Sequence, residues 1–88
     1  MTNYHITISA FENSIKQTFV DFTKYDISFE DLKTSILKRL GNIHSVNRVN
    51  KNKVKAKQII KNAKSIDEMV ERINTQTDFH IVVEEVLN

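Results

Sequence analysis

The sequence predicts an α+β fold. Its core is a small three-stranded sheet, antiparallel or mixed, made of a β-hairpin plus a C-terminal strand. Two or three helices cover one face, and the element order is ββαααβ. Three observations carry this reading. Asn3 to Ala10 alternates apolar and polar residues, the period of a strand with one buried face, and Phe79 to Leu87 reads as strand too, with Phe79, Ile81 and Val83 on one face and His80 and Val82 on the other. Between them, Ser28 is followed three residues on by Asp31, and Ser65 by Glu68. Each pair opens an apolar repeat of helical spacing, as a capped helix start does. A sheet with a single apolar face needs a cover, and helices on that face provide it.

Taken in order, Tyr4, Ile6, Ile8 and Ala10 line one side of the first strand, and His5, Thr7 and Ser9 the other. Glu12-Asn13-Ser14 reads as a turn. Residues 15–23 admit two readings. Their Thr, Phe and Val favour a strand paired to the first as a hairpin. Phe11, Ile15, Phe19 and Phe22 also fit a helical stripe. Ser28 to Leu40 is the clearest helix. It has acids in the first turn, Lys38 and Arg39 in the last, and an apolar face of Phe29, Leu32, Ile36 and Leu40 widened by Leu37. Gly41 is expected to end it in the left-handed conformation. Residues 42–52 read as a connection that becomes helical near Asn50. The second helix runs to Lys64 on an inner stripe of Ala56, Ile59, Ile60 and Ala63, with Val54 exposed. The third starts at Ser65 and turns Ile66, Met69, Val70 and Ile73 inward. The last strand places Phe79, Ile81 and Val83 on one face, and is expected to join the hairpin.

The 88 residues fit one compact domain, 1–88. A chain of this size buries roughly 60–65% of its unfolded surface, so it folds with little stability in reserve. There is no cysteine, which excludes disulfides and thiolate metal sites. No apolar run reaches the ~20 residues of a membrane span, and Met1-Thr2-Asn3 does not begin a signal peptide. A cytoplasmic location is the expectation. With a single glycine, Gly41, no glycine-rich phosphate loop can be built.

Charge is the feature above background. Leu32 to Ile66 runs for 35 residues without an Asp or Glu and holds 10 of the 13 Lys and Arg residues. Five acids and two bases precede it; six acids and one base follow it. The densest part is Arg48 to Lys57. On a helical wheel Lys53, Lys57, Lys61 and Lys64 fall on one flank, and Lys51 and Lys55 on the other. A face selected only for solubility would interleave both signs, so an acid-free run points to phosphates. Lysines predominate over arginines, which suits contact with the backbone more than bidentate reading of bases. The aromatic residues all lie outside residues 42–64, which argues against stacked single strands. The bland alternative is a solvated helix compensated by the chain's own acidic flanks.

Catalytic signals are absent. Glu30-Asp31 and Asp67-Glu68 are explained by helix starts, and the side chains of Glu84-Glu85 point to opposite faces of a strand. No nucleophile elbow, Walker loop, zincin or calcium loop occurs. His5 and His80 could meet if the outer strands pair, but two imidazoles without a third ligand make a weak metal site; His44 reads as a loop residue. A helix-turn-helix pairing of the second and third helices is disfavoured by Asp67, Glu68 and Glu71 on the second member. The expectation is a non-enzymatic binding protein without cofactor or metal. Arg48, Lys51, Lys53, Lys55, Lys57 and Lys61 would engage nucleic acid or a nucleoprotein through the phosphate backbone. The alternative is a protein–protein module, an inhibitor or regulator of the phage or plasmid accessory type (anti-defence, for example), that docks the same residues on an acidic protein surface. Self-association through an open sheet edge is a third reading.

Overall fold

The computed structural model describes residues 2–12, 14–43 and 47–87, and of Glu12 and residues 47–51 the backbone alone. Its elements are β1 (Thr2–Glu12), β2 (Ile15–Ile27), α1 (Phe29–Gly41), α2 (Asn47–Asn62), α3 (Ile66–Gln76) and β3 (His80–Glu85). This is the α+β order ββαααβ. The sheet is antiparallel throughout, in the order β2-β1-β3, so of the two sheet types left open by the sequence the mixed one is ruled out. The C-terminal strand joins the hairpin along β1, which becomes the central strand.

The register aligns the apolar residues of all three strands. Ile6 lies opposite Phe22 and Val83, and Ile8 opposite Val20 and Ile81. These rows meet Leu32, Ile36 and Leu40 of α1, Ala56, Ile59 and Ile60 of α2 with Ala63 just past its end, and Met69 and Ile73 of α3 in one buried cluster. Burial of each large aliphatic side chain contributes about 1.5–3 kcal/mol. Among the described residues no helix covers the opposite face of the sheet, which carries His5, Thr7, Asp21, Thr23 and Glu84. Across it His5 Nε2 and Asp21 Oδ1 lie 2.6 Å apart.

Residues 15–23 are strand, within β2. The helical look of their phenylalanines has a physical cause. The register shifts between Ile8, opposite Val20, and Ser9, opposite Thr18, leaving Phe19 as an extra residue. A bulge of this kind breaks the period-2 alternation. Phe19 therefore packs on the core together with Val20 and Phe22, and meets Phe79 edge-to-face with ring centroids 6.2 Å apart. A second irregularity lies between Thr2 and Tyr4. There Asp26 adopts φ 52° and donates its N–H to Asn3 Oδ1 at 2.7 Å. Aspartate is one of the few residues that enters the left-handed region readily. The turn at Ser14 uses φ 68°.

Both predicted helix caps form. Ser28 Oγ accepts the Asp31 N–H at 3.2 Å, and Ser65 Oγ the Glu68 N–H at 3.1 Å. Glu68 Oε2 completes the second cap by accepting the Lys64 N–H at 2.8 Å. The expectation for Gly41 is corrected: it stands inside α1, and no glycine has positive φ. The helix ends instead on Asn42, whose N–H reaches the carbonyls of Arg39 and Leu40. Gly41 matters for its missing side chain, since a Cβ there would lie 3.6 Å from Lys57 Nζ. Three boundaries also move. α2 begins at Asn47 rather than near Asn50 and ends at Asn62 rather than Lys64, and β3 begins at His80 rather than Phe79.

Candidate nucleic-acid interface

α2 places the site. Its stripe of Ala56, Ile59 and Ile60, continued by Ala63 just past its end, is buried in the cluster shared with α1 and α3. The remaining surface of α2 faces outward. Val54 is exposed there, as the helical wheel requires, and so are Lys55, Gln58, Lys61 and Asn62.

The six residues singled out from the sequence divide by role. Lys55 and Lys61 are exposed and Lys57 is half-exposed. Lys57 runs past Gly41 on the α1 side, whereas Lys55 stands on the α3 side. There a shallow groove of about 170 Å³ brings it together with Gln58, Asn62, Arg72 and Gln76. Lys53 is different: its Nζ donates to the Ile43 carbonyl at 2.8 Å, tying α2 to the end of α1. That ammonium has a structural partner, so Lys53 is a weaker candidate than its spacing implied. Arg48 and Lys51 stand in the first turns of α2, and their side chains lie outside the described residues. His44 also lies outside them.

Another cation leaves the surface altogether. Lys33 of α1 is only 7% exposed. Its Nζ donates to the carbonyls of Ala63 at 2.8 Å and Lys61 at 3.3 Å, with Glu30 Oε1 at 3.6 Å. A cation against the last carbonyls of a helix satisfies acceptors that the helix itself leaves open, and it complements the negative end of the dipole.

Of the acidic flanks, Asp78 reaches α2: its N–H donates to Asn52 Oδ1 at 2.9 Å, and its Oδ2 accepts from Asn52 Nδ2 at 3.3 Å. Asp67, Glu68 and Glu71 belong to α3, where Glu68 takes Arg72 at 3.4 Å, and Asp21 is held across the sheet by His5. Among the described residues, none of Lys38, Lys55, Lys57, Lys61 and Lys64 has a carboxylate within ion-pair distance. Two cations join the surface without having been singled out. Lys64 is exposed just beyond α2, on the flank that the wheel assigned to Lys57 and Lys61. Arg72 follows the acid-free stretch in sequence and is brought beside Lys55 only by the α2–α3 packing.

The two histidines do not meet. β1 and β3 pair, but His5 lies opposite Glu84 and His80 opposite Ser9. Four residues of strand, about 13 Å, separate those rungs. Among the described residues no group of three His, Cys, Asp or Glu side chains could hold a metal ion. No described helix is long and apolar enough to cross a membrane. Comparison with protein-family models, curated proteins and solved structures gives no match.

Proposed function

We propose that the protein binds nucleic acid, or a nucleoprotein, through the phosphate backbone, using the outward face of α2. Lys55, Lys57 and Lys61 are its described contacts, Arg48 and Lys51 extend it toward the helix start, and Lys53 positions the helix. The observation that carries this reading is that, among the described residues, Lys55, Lys57 and Lys61 have no carboxylate within ion-pair distance, although the chain contains 11 acids. Their charge is open to an external anion. Lysines spaced along one helix present point charges to a line of phosphates, which gives affinity with little sequence preference.

The test is the triple substitution Lys55→Glu, Lys57→Glu and Lys61→Glu, assayed by fluorescence anisotropy on labelled duplex and single-stranded DNA and RNA. Affinity falls at least ~tenfold while the far-ultraviolet circular dichroism is unchanged, because these side chains lie outside the core. Unchanged affinity in a folded triple variant excludes this surface. A partner that survives nuclease treatment in a pulldown would mark the lysines as a contact for an acidic protein instead.

A further inference from the structure

A second surface lies between β2 and the C-terminal half of α1. β2 is an edge strand: among the described residues it pairs with β1 on one side and with no strand on the other. Beside it runs an open cleft of about 480 Å³, lined along the strand by Gln17 to Asp21 and across from it by Arg39, Asn42 and Ile43. A second hollow of about 240 Å³ is lined by Lys24, Ser35, Lys38, Arg39 and Asn42. The two share Arg39 and Asn42, so together they follow β2 from Gln17 to Lys24, roughly 25 Å of strand.

Three features of this groove point to one kind of occupant. The first is backbone chemistry: an unpaired strand edge offers a row of N–H and C=O groups that an extended peptide satisfies by adding a strand. The second is charge. Lys24, Lys38 and Arg39 line the groove, while the one carboxylate among its residues, Asp21, is engaged by His5 on the other face of the sheet. Lys38 and Arg39 stand in the last turn of α1, where they also offset the negative end of its dipole. The third is the set of Arg39. Its guanidinium carbon lies 4.1 Å from the centroid of the Phe22 ring, and its N–H groups have no acceptor among the described residues. An arginine seated over an aromatic ring, with its N–H groups unspent, can offer them to a carboxylate.

We infer that this groove takes an acidic peptide segment in extended conformation, added antiparallel or parallel to β2 as a fourth strand, with its Asp or Glu side chains directed to Arg39, Lys38 and Lys24. This surface is built on β2 and the end of α1, borders α2 at Ile43, and needs no nucleic acid.

The probe is a short fluorescein-labelled peptide alternating Glu and Thr, with two controls: the same peptide with Lys in place of Glu, and the Glu peptide N-methylated at alternate residues on one edge and then on the other. The Glu peptide binds. The Lys peptide binds at least ~tenfold more weakly, and one of the two N-methylated peptides loses binding because its edge can no longer donate to β2. Lys38→Gln with Arg39→Gln weakens peptide binding at least ~tenfold while lowering nucleic-acid affinity far less than the Lys55/Lys57/Lys61 triple variant does, since both residues belong to α1. The Lys55/Lys57/Lys61 triple variant gives the reverse pattern. Amide chemical-shift changes on peptide addition fall on residues 17–24 and 39–42. No binding of the Glu peptide, full binding of both N-methylated forms, or displacement of the peptide by duplex DNA with parallel losses in both sets of variants overturns the inference. The last outcome would merge the groove with the nucleic-acid surface.

Discussion

α2 and its neighbours α1 and α3 follow different electrostatic rules. α1 opens with Glu30 and Asp31 behind a serine cap and closes with Lys38 and Arg39. α3 opens with Asp67 and Glu68, again behind a serine cap. Both place acids at the positive end of the helix dipole, where each contributes about 0.3–1 kcal/mol. α2 has no acid in its first turn and carries Arg48 there, with Lys51 close behind. Its other end is served from outside, by Lys33 of α1 on the carbonyls of Lys61 and Ala63. Two helices are thus built for their own stability. The third has basic residues in the turns where they oppose its dipole, and among the described residues its Lys55, Lys57 and Lys61 have no ion-pair partner. In a domain with little stability to spare, that arrangement suits a surface kept positive for a partner.

The contrast can be broken or sharpened by substitution. The largest effect belongs to the core that holds α2 in place. Ile60, fully buried between the helices, loses about 2–5 kcal/mol as Ile60→Ala, a fall in Tm of at least ~8 °C for a domain of this size. Thermal denaturation reads it, and a near-neutral result would mean that α2 is not docked as described.

Next comes the support at the far end of α2. Lys33→Met keeps the side chain's length but removes the donor from two carbonyls, and costs about 1–3 kcal/mol. Urea denaturation should show a lower midpoint with an unchanged slope. A stabilised Lys33→Met protein would mean that the buried ammonium is a burden on the fold rather than a cap.

Gly41→Ala is expected to stabilise by about 0.5–1 kcal/mol, because a helical glycine becomes an alanine. The new methyl meets only the mobile end of Lys57, at an ordinary contact distance. A lower Tm would restore the left-handed helix end that the sequence suggested and the structure does not contain.

The smallest change in stability is the most informative about α2. Arg48→Glu puts an acid into its first turn and should raise stability by about 0.3–1 kcal/mol, while weakening nucleic-acid binding and lowering the salt slope by about 1–2. Opposite movement of stability and affinity in one variant is the mark of a helix whose charge serves binding. If both rise, the dipole mismatch has another origin.

Much of this architecture was legible in the sequence because its signals are local. Strand alternation, the caps at Ser28 and Ser65, and the apolar stripes of the three helices each depend on residues a few positions apart. What was hidden depends on residues far apart or on a local departure from period. The Phe19 bulge made a strand resemble a helix by turning Phe19, Val20 and Phe22 to the same side. Lys33 looked like one more surface cation, yet its partners lie 28 and 30 residues away. Lys53 belonged to the basic flank by its spacing, and only the position of Ile43 reveals its internal bond. The groove beside β2 could not be foreseen, because which strand becomes an edge depends on how β3 joins the hairpin. The acid-free run from Leu32 to Ile66 was plain from the start. That Lys55, Lys57 and Lys61 have no ion-pair partner among the described residues depends on the packing of α3 and the sheet.

The most direct test of the central claim is a salt titration of nucleic-acid affinity, with labelled duplex DNA and RNA at several monovalent salt concentrations. If α2 presents its lysines and arginine to phosphates, log K falls linearly with log salt. The slope should be about −4 for roughly four or five contacts on a duplex, and smaller by about 2–3 in the Lys55/Lys57/Lys61 variant. No binding at low salt, or binding whose affinity is indifferent to salt, would contradict the account.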